Sequence, residues 1–238
     1  MLSAILLALQ LATSIPPIEE TIRATEVPDT IRASFSVQMT SDTAVRFYVY
    51  DPRMSPGTQW QMLGSSGDDP ELDAAAAAWE SEFAPDARLF INDLRQHLGD
   101  EAEVDDFGKA WRIKFKQEGV SGERTLGIFA APELEASAWI EPRDNRLMRI
   151  DFRLPAPVET TDDTVIERYD QRYLMDEDEE WGFRYVGAYS LDFKAERNGL
   201  PIEQSFSAKI TSAEFFFNTP EEQAKFEAER QAGSGSDD

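Results

Sequence analysis

The chain contains no cysteine. Disulfides, thiolate nucleophiles, Cys-ligated zinc and iron–sulfur clusters are thereby excluded, and the core must hold the fold without covalent cross-links. Histidine is nearly as scarce, with His97 the only one in 238 residues. A single imidazole cannot build a zinc site that needs three or four N or S ligands, nor does a Gly-x-Ser-x-Gly elbow accompany it. Gly64-Ser65-Ser66-Gly67 has the wrong spacing for that elbow. Phosphate-cradling loops of either glycine-rich type are missing too, so no cofactor is expected.

Positive charge is in short supply. Lys and Arg number 23 against 46 Asp and Glu, a formal net charge of −23. Such a surface repels phosphate backbones and anionic headgroups, so nucleic acid is not an expected partner. Long apolar runs are lacking as well: Leu2 to Ala12 is charge-free but too short to span a bilayer, which takes about 20 residues. Followed by Ala12-Thr13-Ser14, it reads as a secretory signal over residues 1–14, which places the mature protein in the periplasm or outside the cell.

What the chain does have is alternation. After a Pro-rich leader at 15–29, Ile31, Ala33, Phe35, Val37 and Met39 alternate with polar residues. The same period-2 pattern recurs in Val45 to Val49, Gln59 to Leu63, Lys109 to Lys116, Thr125 to Ala131, Leu134 to Glu141 and Met148 to Leu154. Val165 to Met175 and Phe183 to Ala195 flank an acidic tip, and Asn198-Gly199 signals a tight hairpin into a long strand, Leu200 to Phe217. A strand of that length predicts a bulge near Ser205 or Ser212. The period changes only in a helical insertion at 71–98, where Glu71 to Phe83 forms one segment and Asp86 caps a second. Thr219-Pro220-Glu221-Glu222 is a capping box that opens a short C-terminal helix and tail, residues 219–238. The expectation is a mainly β domain at 30–218: a single strongly curved antiparallel sheet or incomplete barrel of nine to ten strands.

No pattern singles out a catalytic group. Acids are so abundant that carboxylate pairs arise by chance, which leaves a carboxylate-based hydrolase as a distant alternative. Asp176 to Glu180 fails the calcium-loop pattern, with Trp181 at the sixth position and Gly187 at the twelfth. Lys109, Arg112, Lys114 and Lys116 interleave with Trp111 and Phe115 as cations facing water or acidic neighbours. If the curved sheet stays open, its concave face is an apolar cavity able to hold an acyl chain; Trp60, Trp111 and Phe115 are the candidate lining. A filled interior would instead make an envelope interaction or structural module.

With its export signal, the strand Ala33-Ser34-Phe35-Ser36-Val37 and the row of hairpins over residues 30–217, the chain resembles the periplasmic lipoprotein-carrier superfamily. That resemblance implies an unclosed β-barrel covered by helices, with lipid acyl groups held inside. Its partner would be a lipid or an acylated protein, and its role non-enzymatic. The helix that usually precedes the first strand in that superfamily is vestigial here.

Overall fold

The structure, a computed structural model, describes residue 21 and residues 27–90, 100–116, 134–159 and 163–234. One antiparallel sheet is built from β1 (Ile31–Thr40), β2 (Ala44–Tyr50), β3 (Trp60–Gly67), β4 (Asp100–Asp106), β5 (Trp111–Lys116), β6 (Glu135–Glu141), β7 (Arg146–Arg153), β8 (Val158–Glu159), β9 (Thr164–Glu177), β10 (Arg184–Arg197) and β11 (Leu200–Phe217). Helices α1 (Pro70–Glu80) and α2 (Pro220–Ser234) and a 3-10 turn, Pro85–Leu89, complete the described elements. The hydrogen-bonded order is β3-β2-β1-β11-β10-β9-β7-β6-β5-β4, with β8 beside β9. The sheet is therefore mainly β, curved and unclosed, as the alternation predicts.

Local chemistry accounts for most boundaries. In β1 every second residue from Ile31 to Met39 is buried, which matches the period of the pleat. Asn198 and Gly199 both have positive φ (52° and 76°), the geometry of the tight turn that joins β10 to β11. Thr211 is the extra residue of a bulge opposite Ser36 and Val37, beside the expected Ser212, and it lets the long strand β11 bend. At α1, the Asp69 carboxylate accepts from the Glu71 and Leu72 amides at 3.0 Å each, with Pro70 in the first turn. At α2, Glu222 accepts from the Thr219 amide and Thr219 Oγ1 from the Glu222 amide, so the capping box forms as read.

Three expectations need correction. Among the described residues the sheet has eleven strands, with β4 and β8 beyond those the alternation predicts. Asp86 caps no helix: it lies within the 3-10 turn, and Phe90 after it is already extended. Its carboxylate goes instead to Arg32 and to the Ala33 amide. Helix α1 ends at Glu80 rather than Phe83, while α2 runs on to Ser234. The signal at 1–14, His97 and the strand expected at 125–131 lie outside the described residues.

Two hydrophobic clusters fill the inner face. One is centred on β5, β6, β7 and β9, with Ile113, Ala138, Ile140, Leu147 and Ile150 fully buried. The other joins β1, β2 and β11 to α1 and the 3-10 turn. Leu72, Ala75, Ala76 and Trp79 form the buried stripe of α1, and the Trp79 indole donates to the Pro85 carbonyl at 2.9 Å. Trp79 stacks on Phe35 at 5.6 Å and meets Trp60 at 5.5 Å, so the helix is fixed by aromatic contacts.

Candidate functional site

The inner face can be followed from the β4 edge of the sheet as far as β2 along a row of cross-strand partners. Val104, Ile113, Ala138, Ile150, Tyr173, Tyr189, Ala208, Met39 and Arg46 face one another in turn. On either side of its centre the row is buried, with Ile150 at 0% and Met39 at 1% exposure, and beyond that it opens only at Val104 on the β4 edge. The centre is not buried: Tyr173 and Tyr189 remain partly exposed, as do Leu191 and Phe193 below them on β10. Tyr189 and Leu191 are also where the two hydrophobic clusters adjoin, since both residues pack against each. The two well-filled halves thus leave an accessible seam along the middle of the concave face.

Polar atoms are few here and they are organised. On β9, Tyr169, Gln171 and Tyr173 point to the same face because they are spaced by two. Tyr169 Oη donates to Gln171 Oε1 at 2.7 Å, and Gln171 Nε2 donates to Tyr189 Oη at 3.3 Å. The Tyr173 and Tyr189 rings lie 5.3 Å apart. Arg88, from the 3-10 turn, comes close enough for its charge to act on both phenols. It is itself ion-paired with Glu82 and lies over the Trp79 ring at 5.2 Å.

Desolvation is the largest influence on all three phenols and pushes each above its ordinary value; for Tyr173 and Tyr189 the Gln171 hydrogen bond and Arg88 act weakly the other way. The unfolded chain releases these protons near pH 10 and the folded chain does not. Stability from this source is therefore complete below about pH 10 and is lost as the pH rises beyond it. For Tyr169 alone the loss is about 1.4 kcal/mol per pH unit above that point. Urea midpoints at pH 9 and pH 11 should differ accordingly, and by less in Tyr169→Phe; equal slopes in the two proteins would contradict a buried neutral phenol.

The three aromatic residues expected to line the cavity do not form one group. Trp111 and Phe115 share a face of β5, where both are buried in the β5–β9 cluster. Trp60 sits on β3 at the far end of the strand order and packs in the other cluster, against Phe35, Tyr48, Tyr50 and Trp79. Its indole N–H is buried without a partner. The residues at the accessible seam were not singled out in the sequence. A signal for them exists: β9 and β10 are two long strands flanking the acidic tip, and Gln171 breaks the apolar alternation between two tyrosines.

The basic strand is neutralised by its neighbour. Arg112 pairs with Asp105, and Lys114 pairs with Glu103 at 2.9 Å and Asp105 at 3.3 Å, all on β4. A hollow of about 180 Å³ opens beside the start of β1, lined by Val27, Pro28, Asp29, Ile31, Arg32, Ala84, Asp86, Ala87 and Phe90. Arg32 and Asp86 occupy each other there, so neither is open to a ligand. Among the described residues no cluster of His, Cys, Asp and Glu could hold a metal ion, and no helix is long and apolar enough to cross a membrane.

No protein-family model matches the chain, and no curated protein matches it. Among solved structures, an isomerase-inactive variant of GphF DH1 shares 9% identity over 82% of this chain and 80% of that chain, with a TM-score of 0.17. Similarity at that level carries no argument about fold or activity.

Proposed function

We propose that this chain is a non-enzymatic periplasmic protein that binds a hydrophobic ligand, a lipid or an acylated protein, on the concave face of its curved sheet. The observation that carries the proposal is the accessible seam at Tyr173, Tyr189, Leu191 and Phe193, set in the middle of a largely buried apolar face. Apolar side chains at the centre of a sheet are normally the deepest part of a core, so partial exposure there marks a space. An acyl chain filling it gains about 0.8 kcal/mol per methylene removed from water. Ionised groups are kept off the seam: Arg46 is closed off by Asp73, and Arg88 by Glu82. The open sheet also fits the resemblance to the lipoprotein-carrier superfamily, and the apolar N-terminal run fits export.

The test is native mass spectrometry on protein purified gently from its own cell envelope. Co-purifying lipid, released by organic extraction, is the expected result. A protein that emerges without lipid and also fails to enhance the fluorescence of N-phenyl-1-naphthylamine would reject the reading.

A further inference from the structure

We propose that the hydroxyls of Tyr189, held by Gln171, and of the neighbouring Tyr173 form a subsite for the carbonyl oxygen of an acyl ester or amide, with the acyl chain over Leu191, Phe193 and Phe206. This rests on the concave-face reading and adds what kind of apolar molecule the seam recognises.

A phenol has one proton to donate. Tyr169 uses its proton on Gln171 Oε1, but Tyr189 only accepts, from Gln171 Nε2. Among the described residues no acceptor is present for the Tyr173 or Tyr189 proton. Two O–H donors on neighbouring rings, 5.3 Å apart, are thus left uncommitted on a largely apolar face. Both residues border the partly exposed seam, and a carbonyl oxygen with two lone pairs can accept from both hydroxyls at once.

The chemistry also selects against a free carboxylate. The burial that pushes these phenols above their ordinary value also penalises an incoming anion. Arg88, whose charge acts on both phenols, is already held by Glu82 through its Nε at 2.7 Å. A neutral carbonyl carried by a long chain, as in an acyl glycerol ester or an acylated N-terminus, meets both conditions. At either side the apolar partners are in place: Phe206 lies against Tyr189 at 5.6 Å, and Phe152 against Tyr173 at 6.3 Å.

The experiment is displacement of N-phenyl-1-naphthylamine by methyl palmitate and by octadecane, which match in length but differ in the ester. The wild type should take the ester roughly tenfold more tightly, the worth of two hydrogen bonds. In the double variant Tyr173→Phe/Tyr189→Phe that preference should vanish while octadecane binding stays within about twofold. Circular dichroism melts verify that the double variant is folded. Palmitate should compete less well than its methyl ester at pH 8. A phosphatidylethanolamine and a diacylated lipopeptide in the same assay tell a free lipid from an acylated protein as the source. The one bound by the wild type should weaken in the double variant.

Equal affinity of the wild type for ester and octadecane would overturn the subsite and leave the apolar cavity standing. Failure of both to displace the probe, or of the probe to bind, would overturn the subsite together with the concave-face reading.

Discussion

Replacing Gly67 by alanine should lower the unfolding free energy by about 3 kcal/mol, the sum of a left-handed backbone penalty and a steric overlap. Gly67 has φ +73°, and a Cβ there would stand 1.9 Å from the Thr43 carbonyl oxygen and 3.0 Å from Ala44 Cα. Both obstacles are backbone, so no side-chain rotation relieves them. The position matters because Gly67 pairs with Ala44 at the end of β3, one residue before Asp68-Asp69 leads into α1. Its carbonyl also accepts from Arg46 Nη1 at 3.3 Å, and Arg46 in turn grips Asp73 of α1 at 2.7 Å. A shift at Gly67 therefore disturbs both the edge hairpin and the helix that covers the sheet. Gly57 supplies the control: its φ is +83° but nothing lies within 4 Å of its Cβ position. Gly57→Ala should cost only the backbone term, about 1 kcal/mol. Urea unfolding of the two variants measures the difference, and equal losses would show that the Gly67 contact yields freely.

How much of this was legible beforehand depended on whether the signal sat in one segment or in two. The Ile31–Met39 alternation, the Asn198-Gly199 turn and the Thr219–Glu222 box are each complete within a few residues, and each forms as read. Strand β4 is different. Asp100, Glu101, Glu103, Asp105 and Asp106 give it no apolar period of its own. It becomes a strand by matching its acids to Arg112 and Lys114 across the ladder, information divided between two stretches of chain. As a free edge it also benefits from that acidity, because like charges oppose pairing with a further strand. The other edge, β3, carries no charge at all, and Met62 and Leu63 are exposed on it.

The candidate site was illegible for a related reason. Alternation tells which side chains share a face, but not which strands are neighbours. Trp60, Trp111 and Phe115 all point inward, yet the order β3-β2-β1-β11 to β4 places Trp60 at one end and the other two near the opposite end. The site lies where β9 and β10 run through mid-sheet, and its central residue is Gln171, a type that reads as solvent-facing until its strand neighbours are known. Burial of Gln171 among Tyr169, Tyr173 and Tyr189 is a product of register, since each bond in the network crosses or follows a strand by two residues.

Register also explains why Asp86 should be the most sensitive charged residue described. Strand β1 outruns β2: its ladder to β2 begins at Phe35, so on that side the Ala33 amide has no strand to bond. Asp86 Oδ2 takes the place of that missing strand, accepting from Ala33 N at 3.0 Å. The same carboxylate holds Arg32 through two further bonds, at 2.6 and 2.9 Å, while being only 1% exposed. Asp86→Ala strips three donors of their acceptor and leaves a guanidinium 29% exposed and an amide buried. The expected loss is about 3 kcal/mol, the low end of the cost of breaking a buried pair, because Arg32 still reaches solvent. Asp86→Asn keeps an acceptor for Ala33 and should lose less than half as much. Pairing Asp86→Leu with Arg32→Leu should recover much of the deficit, since the double change removes the stranded charge and leaves only one unsatisfied amide. If all three variants unfold at the same urea concentration, the carboxylate is a bystander; if Asp86→Ala alone falls well below the others, it stands in for the strand that β2 does not provide.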